Sequence, residues 1–407
     1  NVDVNNTGDG ELEITSTGKV AATDGTINID NDNKGRLLVN GLVLSDKGVT
    51  NVNNKSDDGI FISTTGKINN KDGNINISNN GKTGIDVQGS IKTEKQNINI
   101  TNKDSDLRIG ELESDNDNYL TSVQDNVVIK QTNGNILNSI EDTSGNKHQN
   151  SNIGNPDHSY KTLIATGNNL VMNVTDGNIG SSSVAKPGFG IEASTRDYTE
   201  SINVNVNGTV NANALNNNNA DSRLVNIRAK DSDLRLNDIT SDGDVMLTAA
   251  DWKTADVRPT PDDDEYFIGY SILNASENGS PINGQNVSLI SSNNVGTSDK
   301  KMVVTQDTQS GIKTLSVEAE NDIHMDVKSN SNIHTYIDAM ISKRGDLELT
   351  SYANTTINHI TSGGHLHILE AGKELTIYEI GGASKHLVDM NDILYPDDNI
   401  GLGTEEN

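Results

Sequence analysis

Cysteine is absent from this chain, so neither a disulfide nor a thiolate metal site exists. In a long extracellular repeat protein that absence fits export in an unfolded state. Aromatic residues are scarce: Trp, Phe and Tyr together make up 3% of 407 residues, and the whole hydrophobic share is 32%. Such a composition excludes several large globular cores and, taken alone, points to disorder. No run approaches the roughly 18 apolar residues of a membrane helix. Basic residues are outnumbered 31 to 58, giving a net charge of −27. That charge repels phosphates, which excludes nucleic acid as a partner and simple docking on an anionic membrane. It favours solubility and attracts cations. Ala and Leu at a 3.6-residue period are missing too, so no helix of usual length is expected. Ser384–Met390 alone reads as one short helix or a loose coil. The chain opens on Asn1 and stops at Asn407 with neither a leader nor a capping pattern, which reads as a segment of something longer.

What the sequence does have is a repeat. Gly25-Thr-Ile-Asn-Ile-Asp-Asn31, Gly48-Val-Thr-Asn-Val-Asn-Asn54, Gly73-Asn-Ile-Asn-Ile-Ser-Asn79 and Gln96-Asn-Ile-Asn-Ile-Thr-Asn102 align without gaps. The apolar positions Ile29, Val52, Ile77 and Ile100 step by 52−29 = 23, 77−52 = 25 and 100−77 = 23. Val4 adds an earlier rung at 29−4 = 25. Two further short strands recur inside each period. One set is Leu12/Ile14, Leu37/Val39, Ile60/Ile62, Ile85/Val87 and Leu107/Ile109; the other is Val20, Leu42/Leu44, Ile68, Ile91 and Leu112. Strict alternation turns one face of each strand inward. A strand so short cannot bury that face alone, so each coil must stack on the next. The expected fold is all-β: a parallel β-helix, or β-solenoid, with three short strands per coil and coils of about 19–25 residues.

Asn6, Asn31, Asn54, Asn79 and Asn102 fall at one equivalent position just after a strand. They are expected to form a structural ladder, tolerating a left-handed corner and bonding amide to amide between coils.

The rest of the chain reads as one solenoid, 1–407, with departures. Asp115–Asn118 lengthens one coil, and a polar loop near 139–160 leaves the wall. The run Lys-Asp-Ser-Asp-Leu-Arg occurs at Lys103 and again at Lys230, an offset of 230−103 = 127. There the aspartates suit a turn, and Arg108 and Arg235 should face solvent. Residues 250–283 are least solenoid-like and hold Trp252, Tyr266, Phe267 and Tyr270. Aromatics on an insertion offer contact area at low entropic cost, so these four are the candidate ligand-binding residues. The plainer alternative folds them back onto the wall. The array resumes at Val287 and shortens: Leu347 to Leu366 is 19 residues and Ile360 to Ile380 is 20.

With its coil length, its Gly-Asn-Ile-Asn-Ile strands, Gly243-Asp-Val-Met-Leu-Thr-Ala249 and the turn Asn178-Ile-Gly-Ser181, most of the chain resembles the shaft of two-partner-secretion exoproteins. These are the filamentous-haemagglutinin-like and large leukotoxin-like adhesins. The resemblance implies a long protein moved across an outer membrane by a partner transporter, and residence at the bacterial cell surface. The family's N-terminal secretion signature, Asn-Pro-Asn, does not occur here.

Chemistry is thinly signalled. No pair of carboxylates clusters with aromatic stacking residues, so no catalytic residue is named and no cofactor is expected. Five histidines (His324, His334, His359, His365 and His367) crowd one stretch, which could in principle hold a metal. Alternation turns Leu366 and Ile368 inward, leaving His365 and His367 in a solvated row, so no metal site is assigned. Asp30–Gly35 begins like an EF-hand loop but has Lys34 at a ligand position and Gly41 where Glu is required. The triplets Asn99-Ile-Thr101 and Asn207-Gly-Thr209 fit sugar acceptors, and also fit chance in an Asn-rich chain.

The expectation is therefore a fibrous shaft of about 14–16 coils and about 70 Å. Unpaired end strands suit self-association, end to end or side by side. The alternatives are an adhesive module that meets a host glycan or surface protein through 250–283, and a carbohydrate-active β-helix enzyme.

Overall fold

The computed structural model describes residues 1–110, 119–138, 162–181, 201–217, 223–229, 231–249, 269–277, 279–305, 313–329, 334–352, 354–370 and 374–382. Every helix or strand among them is a strand, and the strands stack in parallel as a β-solenoid that does not close on itself. The chain divides into two compact units, Asn1–Val184 with Asp197–Ile227 and Ala185–Arg196 with Arg228–Asn407.

In the first unit three strands make a coil. The first sheet stacks Val2–Asn6, Ile27–Asn31, Thr50–Asn54, Ile75–Asn79, Ile98–Lys103, Val127–Thr132 and Leu170–Thr175. The second stacks Leu12–Ile14, Leu37–Val39, Ile60–Ile62, Ile85–Val87, Leu107–Ile109 and Ile136–Asn138. The third stacks Lys19–Asp24, Leu42–Lys47, Lys67–Asp72, Ser90–Thr93, Leu120–Ser122 and Ile164–Thr166. The rung Val4–Ile29–Val52–Ile77–Ile100 is in register strand by strand, as the spacing predicts. Its last four members are buried, because alternation sends them to the axial column.

One part of the third face has the opposite phase to that expected. Val43 and Ser45 point inward and are fully buried, whereas Leu42 and Leu44 are half-buried on the outer side. The register Val20–Val43–Ile68–Ile91–Leu120 fixes this. Gly41 stands at the preceding corner, where a side chain would collide with the carbonyl of Gly18 on the coil before. Counting the strand from that glycine, rather than from its most apolar residues, gives the correct face. Leu112 lies outside the described residues; on its coil the third-face strand is Leu120–Ser122.

The corners differ from expectation as well. Asn6, Asn31, Asn54, Asn79 and Asn102 are extended residues within the first-sheet strands, not left-handed ones. Positive φ belongs instead to Gly25 and Gly48 and to Asp104, Asn133 and Asp176, at 59°, 51° and 57°. The last three follow paired strand ends at Lys103, Thr132 and Thr175, so they stack on one corner.

In the second unit the strands lengthen. One sheet stacks Leu234–Ser241, Ile282–Asn283, Met302–Thr305, Ile323–Lys328, Leu347–Ser351 and Leu366–Glu370. Another stacks Asp244–Ala249, Val287–Ser291, Lys313–Ala319, His334–Ser342, Asn354–Ser362 and Leu375–Gly382. Leu234–Leu236 also pairs with Ile272–Asn274, and among the described residues that narrow face continues as bridges at Val295 and Ile323. With the narrow face reduced, 19 residues suffice to carry Leu347 to Leu366. Of the stretch 250–283, residues 250–268 lie outside the described residues, and the array is already resumed at Ile272.

Candidate functional site

The first unit's polar side chains are organised coil by coil. Inside, Asn6 Nδ2 donates to Asn31 Oδ1 at 2.8 Å, Asn31 to Asn54 at 2.7 Å, Asn54 to Asn79 at 2.7 Å and Asn79 to Asn102 at 2.8 Å. Asn102 passes the ladder to Gln131 Oε1 at 2.9 Å. From Asn31 onward these amides are buried, and their second N–H bonds a backbone carbonyl of the adjoining turn, such as Asn54 to Ser56 O at 2.8 Å. An outer ladder runs with the opposite polarity. Asn99 donates to Asn76 and Asn76 to Asn51, both at 2.9 Å; Asn51 donates to Asn28 at 2.8 Å and Asn28 to Asp3 at 2.6 Å.

A third device was not anticipated from the sequence. The side-chain oxygen of the residue before a strand accepts the backbone N–H of its counterpart on the next coil. Asn74 so receives Asn97 at 3.1 Å, Asn97 receives Asn126 at 3.1 Å, and Asn126 receives Asn169 at 3.0 Å. In the second unit Asn294, Asp322 and Asp346 receive Asp322, Asp346 and His365 at 2.9, 2.8 and 2.7 Å. The signal was present as the recurring Gly-Asn-Ile motif, where Asn precedes the first apolar residue.

The two copies of Asp-Ser-Asp-Leu-Arg build one local shape on different faces. Asp231 is left-handed, φ 61°, like Asp104, and Arg235 lies 3.7 Å from Asp233 much as Arg108 lies 3.3 Å from Asp106. One run leads into the second sheet of its unit and the other into the long strand Leu234–Ser241.

Of the four candidate ligand-binding aromatics, Trp252, Tyr266 and Phe267 lie outside the described residues. Tyr270 is half-buried; its N–H donates to Ser292 Oγ at 2.9 Å and its carbonyl accepts from Ser291 Oγ at 2.7 Å, which ties its backbone to the coil. Among the described residues other aromatics are more open, such as Tyr378 at 71% exposure.

The histidines do not converge. His365 is exposed and lies 3.2 Å from Asp346; His334 contacts Thr356 Oγ1 at 2.6 Å. His359 is buried rather than solvated, although it lies on the outer side with Thr361, which it contacts at 2.7 Å, while Ile360 turns inward. His359 is opposite Ala339 and Glu379, 3.0 Å from the latter's carboxylate, so it is not paired with His334 one coil away. Among the described residues no group of three or more His, Cys, Asp or Glu side chains is placed to hold a metal ion.

One polar cluster among the described residues was not assembled from the sequence. Lys301, immediately before Met302, stands beside His324, and the row continues through Glu348 to His367. The steps are 324−301 = 23, 348−324 = 24 and 367−348 = 19, which is where register could have been read. Lys301 Nζ lies 2.6 Å from Glu348 Oε1, and His324 Nδ1 lies 3.1 Å from Glu348 Oε2. Burial pushes the Glu348 carboxyl up, but the hydrogen bonds from Lys301 and His324 outweigh it and hold it below its ordinary value.

Compared with family models, curated proteins and solved structures, the chain has no match.

Proposed function

We propose that this chain is a structural shaft: a stretch of stacked coils in a large secreted bacterial adhesin or surface filament, standing outside the cell. The observation that carries this reading is the use of its polar side chains. Buried amides, outer amides and corner carbonyls all bond to the neighbouring coil rather than converging on a cleft. Such a surface is built to extend a stack, and it presents an even, hydrated, acidic exterior that resists clumping. The exported parent protein would need an outer-membrane transporter, and an unfolded chain without cysteine suits that passage.

Saturation binding of the fragment to intact host cells and a glycan panel tests this, with a chain lacking 250–268 alongside. Deleting only those residues spares Ile272–Asn274 and Ile282–Asn283, which pair into the sheets. A shaft gives no saturable binding by either chain. Saturable binding lost from the folded deletion would replace the shaft with an adhesive module, its site at Trp252, Tyr266 and Phe267. Release of new sugar ends from a polysaccharide would replace both with an enzyme.

A further inference from the structure

Lys301, immediately before the strand Met302–Thr305, meets the side chains of Asp326 and Glu348 from the next two strands of the same sheet in the second unit. Lys301 Nζ is held at 2.6 Å from Glu348 Oε1, donates to Thr350 Oγ1 at 3.0 Å, and lies 3.7 Å from Asp326 Oδ1. The three side chains are 24%, 27% and 18% exposed for Lys301, Glu348 and Asp326. Asp326 Oδ1 itself is closed to solvent and accepts no hydrogen bond. On its row Asp326 sits between Val303 and Thr350, both buried. An ionised oxygen kept from water without a donor is costly, and the nearest cation is the amine of Lys301. Two of the three amine positions are fixed by Glu348 and Thr350, which leaves the third side facing Asp326.

We propose that Lys301 and Asp326 condense into an amide that joins adjacent coils, with Glu348 as the proton carrier. The Lys301 ammonium gives a proton to the Glu348 carboxylate, which passes it to one oxygen of Asp326, and the freed nitrogen lone pair then attacks Cγ of the neutral carboxyl group. Glu348 next carries a second proton from the same nitrogen to that oxygen. That oxygen leaves as water when its bond to Cγ breaks, and Glu348 ends as the carboxylate it began as. One ammonium and one carboxylate become one amide and one water, with no change of oxidation state and no cofactor. Lys301 Nζ stands 3.7 Å from Asp326 Oδ1, so the fold holds the amine beside the carboxyl group and supplies the effective concentration that the same reaction lacks in free solution. His324 takes part by position, holding the far oxygen of Glu348 so that the near one faces Lys301. The product replaces an ion pair by a neutral link across 326−301 = 25 residues, in a chain that has no cysteine to cross-link.

The intact mass of the purified chain tests this directly. The expected mass is below that of the sequence by one water, and a protease digest yields a branched peptide joining Lys301 to Asp326. Lys301→Arg and Glu348→Gln each restore the full mass. A full mass in the parent chain, with Lys301 open to an amine-specific reagent, overturns the proposal; so does a water loss that maps to another pair. The parent chain alone is decisive, whether or not a variant folds.

Discussion

Asn54 sits at the centre of three contacts that water cannot replace: it accepts from Asn31, donates to Asn79, and donates to the carbonyl of Ser56. Replacing it by Leu leaves a buried N–H of Asn31 and the Ser56 carbonyl without this partner, while Asn79 Oδ1 keeps only the Gly81 N–H. At about 1–3 kcal/mol for each unsatisfied group, the loss should be about 2–6 kcal/mol in denaturant unfolding. Asn51 carries out a similar exchange between Asn28 and Asn76 on the half-exposed outer side. There water takes over the freed bonds, so Asn51→Ala should cost about 1 kcal/mol or less. Equal losses would remove the distinction between the two ladders. Glu348 offers a test in pH. While Lys301 is a free ammonium, the Glu348 carboxyl is held below its ordinary value by Lys301 and His324 against the opposing effect of burial, whereas the unfolded glutamate titrates near about 4.3. Below that pH the unfolded chain takes up its proton first, so the stabilisation is complete above about 4.3 and is lost as pH falls through the lower folded value. In a Lys301→Arg background, which keeps the cation and cannot form the amide, adding Glu348→Gln should flatten the melting temperature across this acid range.

At the scale of the strand, the inward column decides stability and the corner decides phase. Ile77 is buried between Val52 and Ile100 on its rung. Ile77→Ala should cost about 2–5 kcal/mol by opening a cavity. Ile77→Asp, which puts a lone charge in the column, should unfold the coils on either side, with loss of the β-sheet spectrum at room temperature. A native melting curve for the Asp variant would contradict the assigned faces. The first-sheet phase was legible because Ile-Asn-Ile alternates without ambiguity, and the second because Leu12-Glu-Ile14, Ile85-Asp-Val87 and Leu107-Arg-Ile109 fix the rungs that Leu37-Leu-Val39 and Ile60-Phe-Ile62 share. Leu42-Val-Leu44 was not, since three apolar residues in a row leave the phase open and only the glycine column at Gly18 and Gly41 resolves it. Lysine–aspartate pairs one coil apart, such as Lys55 with Asp32 at 2.8 Å and Lys82 with Asp57 at 2.8 Å, add a check on register. Both lysines are pushed up first by the hydrogen bond to the partner and then by its charge. On so exposed a surface they discriminate against slipped pairings more than they stabilise the right one.

For the molecule as a whole, the solenoid was written in the period, and the coil-to-coil ladder was written in the recurring Asn. The Lys301–Asp326–Glu348 cluster was not. Its members belong to separate strands whose offsets of 25 and 22 residues (326−301 and 348−326) become neighbours only once register is known. The candidate aromatics at 252, 266 and 267 are addressed by the binding test, while the proposed shaft rests on how each described coil is tied to the next. That tie makes a direct test available. Gly25, Gly48 and Gly73 occupy one corner on successive coils, so removing residues 25–72 excises two whole coils and joins Asp24 to Gly73 in phase. Removing residues 25–60 takes fewer residues but leaves the coils out of phase. Thermal unfolding of the two deletions beside the parent, followed by circular dichroism, is the measurement to make. Stacked, interchangeable coils predict a parent-like β spectrum and a cooperative transition for the 25–72 deletion, with both lost for the 25–60 deletion. Equal tolerance of the two, or collapse of the in-phase deletion alone, would contradict the account.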